Sequence, residues 1–315
     1  MSTLKEIAVA LKNTDNFLVI SHASPDGDTV GSATALIRAL RSIGKKANFA
    51  CSDTVSKNFD YLFEDLENED FEIQNYITVD VASPQLLGNL KDTKVNIAID
   101  HHSVSTVEAD LRFCDSTAGA NALIIYELLN EMNITISDKI ANSLFTGIST
   151  DTGCFKFSNA GERIHLAAAK LITCGANFAD INRRMFDSKT KAALKAEQEI
   201  FSNMEFCLDD KVVVASVPRD LLSRTGATEN DLEAIPSLVR GIEGVVLSIT
   251  LKEKEDGLWK ASVRAVAPYN AAEICIQFGG GGHIGAAGCA LTKDYQKSKS
   301  MLVKACKEHL ESVAK

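Results

Sequence analysis

The string AIDHHSVS (98–105) sets an acid and two imidazoles, Asp100, His101 and His102, side by side at the end of the apolar run VNIAI (95–99). Such groups are costly at the edge of a core unless something satisfies them. A divalent cation does so, since carboxylate oxygen and imidazole nitrogen are its ordinary ligands. Three further clusters share the first half of the chain: SHASPDGDTVGS (21–32) with His22, Asp26 and Asp28, YITVDVASP (76–84) with Asp80, and GISTDTGCFKFSN (147–159) with Asp151. Singly, each has a plain structural reading. Asp28 caps a helix, Asp26 sits in a Pro-Asp-Gly turn, Asp80 ends a strand, and Asp151 lies in a turn after an apolar helix. Adjacent histidines at a buried strand end have no routine structural role. Together, such groups at successive strand ends would repel one another without cations. The set reads as a metal-dependent hydrolase site that draws two divalent ions. A shell rich in oxygen and lacking thiolate favours manganese or magnesium. The imidazoles tilt the choice to manganese, with cobalt, iron or zinc as substitutes.

The elements that must position these residues alternate. FLVISH (17–22), ANFAC (47–51), YITVD (76–80) and VNIAID (95–100) read as strands, and helical apolar spacing runs over 29–44, 119–132, 137–149 and 161–174. Strands with near-continuous apolar runs, alternating with helices, imply an α/β fold with a parallel sheet covered by helices on both faces. Such sheets bind ligands at the carboxyl ends of their strands. His22, Asp80 and Asp100 all fall at or just past such ends, so one crevice can gather them.

The segment 181–204 reads as one long charged helix linking two domains. Beyond it, strands are expected at 211–218, 244–253 and 259–267, and helices at 228–240, 270–277 and 292–313. This gives a smaller, mixed α/β domain. The expected division is a metal-binding domain over 1–186, a linker helix over 187–206 and a second domain over 207–315. In FGGGGHIGAAG (278–288), Gly279, Gly280, Gly281 and Gly282 allow an anion close to backbone N–H donors, with His283 adding a side-chain contact. The plain alternative is a flexible loop entering a small-residue helical turn. His165 and His309, on predicted helices, read as surface groups, and Trp259 as a packing residue.

With 315 residues, two domains are the default expectation. No apolar stretch is long enough to span a bilayer, the start lacks a signal-peptide layout, and the eight cysteines are scattered without CxxC spacing. Reduced thiols, no structural zinc, no membrane partner and a cytoplasmic home are expected. A formal net charge of −9 argues against long duplex nucleic acid as ligand. It leaves room for a short anionic substrate held by cations and a few basic residues.

The four acidic and imidazole clusters, in this order, resemble those of the DHH phosphoesterase superfamily, and FGGGGHIGAAG is similar to the glycine-rich motif of the DHH-associated C-terminal domain. The chain most resembles the NrnA-type branch, nanoRNases that also dephosphorylate 3′-phosphoadenosine 5′-phosphate. The resemblance implies roles residue by residue. His22 and Asp26 match ligands of a first metal, Asp28, His101 and Asp151 ligands of a second, and Asp80 the carboxylate bridging both. His102 matches the histidine facing the substrate phosphate, and Asp100 a group orienting a neighbouring imidazole. Arg264 matches a phosphate-binding position, beside Gly279 to Gly282 and His283.

That resemblance implies two manganese ions, with magnesium or cobalt as alternatives, activating water for in-line attack on phosphorus. The implied substrates are short RNA oligonucleotides, released as 5′-mononucleotides, and 3′-phosphoadenosine 5′-phosphate. A site shared by two domains suits a ligand a few nucleotides long, and a homodimer is compatible with it. The rivals are a phosphodiesterase for cyclic di-AMP or pApA, a single-strand DNA exonuclease, a manganese pyrophosphatase and a non-catalytic nucleotide sensor. The glycine-rich string argues against the pyrophosphatase, the acidic balance against the exonuclease, and the intact ligand set against the sensor.

Overall fold

A computed structural model describes residues 1–313, which form two units, Met1–Ser188 and the segment from Lys189 onward. The last two positions of the 207–315 assignment lie outside the described residues.

The first unit runs α1 (Leu4–Asn13), β1 (Phe17–Ile20), α2 (Gly27–Ser42), β2 (Ala47–Ala50), β3 (Asn75–Val79), β4 (Val95–Asp100) and β5 (Ala109–Cys114). Then follow α3 (Asn121–Glu131), α4 (Asp138–Asp151), α5 (Glu162–Thr173) and α6 (Phe178–Asn182). The five strands are parallel, in the order β2-β1-β3-β4-β5. Phe17, Val19, Ile77, Val79 and Ile99 bury one sheet face with Leu36, Leu40, Leu123 and Phe145 of the α-helices. Each such side chain contributes about 1.5–3 kcal/mol by leaving water. On the other face Ile20 and Ala98 meet Leu87 of a short 3-10 segment, Pro84–Leu90. Both faces are covered, with the α-helices of this core gathered on one. The crossovers into β3 and β4 hold only 3-10 turns, Lys57–Leu62 and Pro84–Leu90.

Three local readings need correction. ADLRFC (109–114) is an edge strand absent from the sequence reading, because Asp110 and Arg112 interrupt its apolar run. The cap of α2 is Asp26, whose carboxylate accepts from the amides of Asp28 and Thr29 at 3.0 and 3.1 Å. Asp28 therefore sits inside the first turn. Asp151 is the last residue of α4 instead of lying in the turn beyond it.

The second unit runs α7 (Lys191–Ser202), β6 (Glu205–Cys207), β7 (Val212–Val217), α8 (Asp220–Thr225), α9 (Ile235–Arg240), β8 (Leu247–Glu253) and β9 (Trp259–Ala265). It closes with α10 (Ala271–Ile276), β10 (Gly281–His283), β11 (Ala286–Ala290) and α11 (Tyr295–Val313). The sheet order is β10-β11-β9-β8-β7-β6, with β7 and β8 parallel and the other pairs antiparallel. It is the mixed α/β layer expected.

The single helix over 181–204 is not formed. A π-helical turn, Arg183–Asp187, ends in extended Ser188, and α7 restarts behind Thr190, whose hydroxyl accepts from the Ala193 amide at 2.9 Å. Ala196 and Ile200 of α7 then pack with Val213 and Ala215. The expected helix over 228–240 splits into a 3-10 turn at Asn230–Leu232 and α9, where Pro236 occupies the first turn. The glycine-rich string forms the β10–β11 hairpin, neither a loose loop nor a helical turn. His309 is buried, accepting from the Asn270 amide at 3.0 Å, and is not a surface group; His165 is exposed. Among the described residues no helix is long and apolar enough to cross a membrane, and the eight cysteines are free thiols.

Candidate metal centre

β1, β3 and β4 are adjacent and parallel, so their carboxyl ends open on one edge. His22 lies two residues past β1 and Asp80 one past β3, while Asp100 ends β4 with His101 and His102 directly after it. From the helical layer, Asp26 and Asp28 enter at the start of α2 and Asp151 at the end of α4. Close packing of these helices brings the last two together. A Cβ on Gly31 would lie 2.4 Å from the Ser143 carbonyl oxygen, and one on Gly147 2.8 Å from Asp28 Oδ1.

The result is three interlocking groups: His22, Asp26 and Asp80; Asp28, His101 and Asp151; and Asp80, His101 and His102. Within each, the ligand atoms lie within 4.8 Å of one another. Asp80 stands between two imidazoles, Oδ2 at 3.7 Å from His22 Nε2 and Oδ1 at 3.3 Å from His101 Nε2. Asp26 Oδ1 is 3.7 Å from His22 Nε2. Asp28 and Asp151 approach His101 Nε2 at 3.9 and 4.0 Å.

The imidazoles are oriented from behind. His22 Nδ1 bonds the Ala23 carbonyl at 2.8 Å and His101 Nδ1 the Ala118 carbonyl at 3.1 Å. A carbonyl only accepts, so each Nδ1 carries the proton and each Nε2 is turned towards the carboxylates, the orientation a metal ligand needs. Asp28 is fixed by the uncapped start of α3: Oδ2 accepts from the Asn121 amide at 2.6 Å and Oδ1 from the Ala122 amide at 2.8 Å. His102 differs from the other two. Its Nδ1 is 2.7 Å from Asp100 Oδ1, which also accepts from the His101 amide at 2.8 Å.

Electrostatics records the crowding. Burial, with Asp151 beside it, pushes Asp28 up to about 7. Burial and the neighbouring Asp28 push Asp80 up to about 7. Burial lifts Asp151 to about 6 against the pull of His101. Burial opposes charge on His22 and His101, but the carboxylates facing them win and lift the rings to about 9 and about 10. The Asp100 carboxylate raises His102. Asp80 Oδ1 is buried without a hydrogen-bonded partner, and Asp80 holds φ at 60°. An orphaned carboxylate oxygen and a strained backbone each cost about 1–3 kcal/mol. Oxygen and imidazole donors turned onto a shared carboxylate fit divalent cations.

All eight acidic and imidazole residues singled out in the first half of the sequence thus converge, seven in the interlocking groups and Asp100 through its bond to His102. Arg264, Gly279 to Gly282 and His283 lie together in the second unit, Arg264 on β9, Ala286 opposite it on β11, and His283 opposite Ala286. Gly280 and Gly282 have a packing reason besides, since a Cβ would meet Gly288 O at 2.2 Å and Ala286 O at 2.6 Å. Two supports escaped the sequence reading. One is the pair of α3 amides on Asp28. The other is Asn159, whose amide donates to Gly119 O at 2.9 Å and to Asp151 O at 3.1 Å. Only proximity in sequence to Asp151 hinted at Asn159.

Comparison with known proteins gives matches over both units of the chain. Residues 16–148 match the DHH family N-terminal domain, and residues 209–312 match the DHHA1 domain. The bifunctional oligoribonuclease and PAP phosphatase NrnA of Thermus thermophilus is 28% identical over 312 residues, covering 98% of this chain and 94% of its own. The crystal structure of an exopolyphosphatase-related protein from Bacteroides fragilis superposes with a TM-score of 0.89 at 20% identity, over 99% of this chain and 97% of that one. Exonuclease RecJ, solved bound to manganese, shares the fold at a TM-score of 0.52 and 15% identity, over 97% of this chain and 95% of that one.

Proposed function

Since the chain belongs to the DHH family and continues into a DHHA1 domain, we propose that it is a metal-dependent phosphoesterase cleaving short RNA oligonucleotides to 5′-mononucleotides. The same site would convert 3′-phosphoadenosine 5′-phosphate to AMP and phosphate. The observation that carries this is Asp80, buried between His22 and His101 with one oxygen lacking a hydrogen bond. That arrangement suits a carboxylate shared by two cations. His22, Asp26 and Asp80 would hold one, and Asp28, Asp80, His101 and Asp151 the other. Manganese is the best match to this mixed shell, with magnesium or cobalt able to replace it. When bound, such ions lower the pKa of water and offset charge on phosphorus oxygens.

The chain's own residues supply the rest. Asp100 fixes the His102 ring through Nδ1 and favours its protonated form, leaving Nε2 to donate to a phosphate oxygen or to the leaving oxygen. The Asp28 carboxylate is held by the α3 amides, and Asn159 donates to the Asp151 main-chain oxygen at 3.1 Å and to its carboxylate at 3.4 Å. We assign chemistry to 1–186 and substrate binding to Arg264, Gly279 to Gly282 and His283 within 207–315, with 187–206 joining them. The pairing of activities in the name of the Thermus thermophilus relative supports the choice of substrates.

The test is a substrate panel with manganese: a 5′-phosphorylated RNA dinucleotide, a long RNA, 3′-phosphoadenosine 5′-phosphate, cyclic di-AMP and pyrophosphate, beside an Asp80→Ala variant. Mononucleotide release from the dinucleotide, lost in the variant and slow on long RNA, is expected. Preference for cyclic di-AMP, or hydrolysis of pyrophosphate alone, would replace the proposal.

A further inference from the structure

Resting on the phosphoesterase reading above, we propose that the open face of the second unit's sheet is a track for a later phosphate of a short single strand. Cross-strand pairing sets three rows on that face. Arg264 shares a row with Ser248, Ala286 and, across β11, His283. Thr250, Ser262 and Gly288 form the next, and Lys252 and Lys260 the third. The alternate residues Ile249, Leu251, Ala261 and Val263 build the core on the opposite side. Over β7 the polar rows give way to Val213, Ala215 and Val217, which are covered by α7 and α9. Beyond that cover a cavity of about 240 Å³ remains, with Thr250, Ser262, Lys252, Lys260 and Arg264 among its lining and Leu232 and Pro236 forming an apolar wall.

Two observations point to an anionic occupant. Thr250 is 5% exposed and lines the cavity, yet its hydroxyl has no hydrogen-bonded partner. Such a group is costly unless a ligand supplies the missing bond. The charge is unbalanced too. Lys252, Lys254, Lys260 and Arg264 line the cavity with only Glu229 and Glu233 as carboxylates. Glu229 is shared by Lys252 and Lys254. Half-buried Arg264 donates to the Val263 carbonyl at 3.3 Å.

The rows also set a length. Four residues of β9 separate Arg264 from Lys260, about 14 Å at ~3.4 Å per residue. At that backbone spacing, two successive phosphates of one strand can engage the two ends together. The floor between them offers hydroxyls and a glycine, which let a sugar-phosphate backbone lie close. A dinucleotide engages the Arg264 end alone, and a longer strand reaches the Lys252–Lys260 end as well.

The test is binding of fluorescently labelled RNA dinucleotide and tetranucleotide to the full chain in EDTA, where hydrolysis does not interfere. Lys260→Gln and Thr250→Val are compared with the parent protein. Lys260→Gln is expected to weaken the tetranucleotide about ten-fold and to reduce its slope of log affinity against log salt by about 0.7, the value for one phosphate contact on a single strand. Thr250→Val weakens the same ligand without changing that slope. The dinucleotide keeps its affinity in both variants. Equal losses for both lengths, no loss for either, or no binding of the tetranucleotide by the parent protein overturns the track. Absence of hydrolysis in the separate substrate panel overturns the phosphoesterase reading and leaves this comparison to be judged on its own outcome.

Discussion

Gly147 of α4 leaves the space that Asp28 of α2 occupies: a Cβ there would lie 2.5 Å from Ala122 Cβ and 2.8 Å from Asp28 Oδ1. The contact joins the two helices that bring Asp28 and Asp151 to His101, so packing and ligand placement are one constraint. Gly147→Val must push Asp28 off the α3 amides or part α2 from α4. Overpacking of this kind costs about 1–3 kcal/mol. The expected result is a lowered Tm together with at least a ten-fold loss of manganese affinity by calorimetry. Unchanged metal affinity in a destabilised variant would show that Asp28 is not held by this contact.

The response to pH follows from the metal-free cluster. His22 and His101 titrate near 9 and near 10, above the ordinary histidine value, so they stabilise the fold fully below pH 6.5 and lose that contribution as pH rises through 9 to 10. Asp28 and Asp80, raised to about 7, and Asp151, raised to about 6, favour the fold in acid and withdraw support as pH climbs past those values. The metal-free protein therefore weakens from pH 5 to pH 9. Cations take the place of these protons, and affinity gains about ten-fold per pH unit for each proton displaced. The rise in Tm produced by manganese over EDTA is expected to grow steadily across that range. A constant increment would mean that these groups are not the ligands.

Much of this site was legible before the fold was known, and for a physical reason. Ligands at the ends of parallel strands follow apolar runs that stand out in sequence, as VNIAID before His101 and His102 does. What lay hidden depends on tertiary contact. The α3 amides reach Asp28 across 93 residues of sequence, and Asn159 reaches back to Gly119 across 40. Neither leaves a local pattern. Edge strand β5 and the β10–β11 hairpin were missed because polar or small residues replace the apolar alternation that marks a buried strand. His309 reads as a surface residue on a charged helix, yet it is enclosed where the Asn270 amide needs an acceptor.

In its proposed role as a shared metal ligand, Asp80 trades stability for ligand strength. Its carboxylate is 3% exposed, raised by burial, and one oxygen lacks a hydrogen bond. Asparagine tolerates the same left-handed backbone. Asp80→Asn removes a buried carboxylate whose pKa is raised to about 7, so it is expected to raise the metal-free stability at pH 8 by about 1–3 kcal/mol. The manganese-dependent rise in Tm should vanish at the same time. Denaturant unfolding in EDTA and in manganese separates the two effects. A variant less stable than the parent in EDTA would show that Asp80 serves the metal-free fold.

His102 and Asp100 allow a test of chemistry apart from metal binding. Asp100 Oδ1 takes His102 Nδ1 at 2.7 Å and the amides of His101 and His102 at 2.8 and 3.3 Å. Asp100→Asn keeps an acceptor oxygen for the amides but removes the charge that raises His102. The imidazolium then gives up its proton at lower pH. If protonated His102 donates to the phosphate or to the leaving oxygen, the alkaline limb of kcat moves to lower pH. The rate at neutral pH would fall about 10–100-fold, as for other groups that orient a site imidazole. Manganese affinity is expected to stay near that of the parent protein, because the imidazoles proposed as metal ligands are His22 and His101. His102→Gln should flatten the limb altogether. A limb unmoved in Asp100→Asn, with the rate lost all the same, would assign Asp100 to holding the backbone of the strand end and remove His102 as the proton donor.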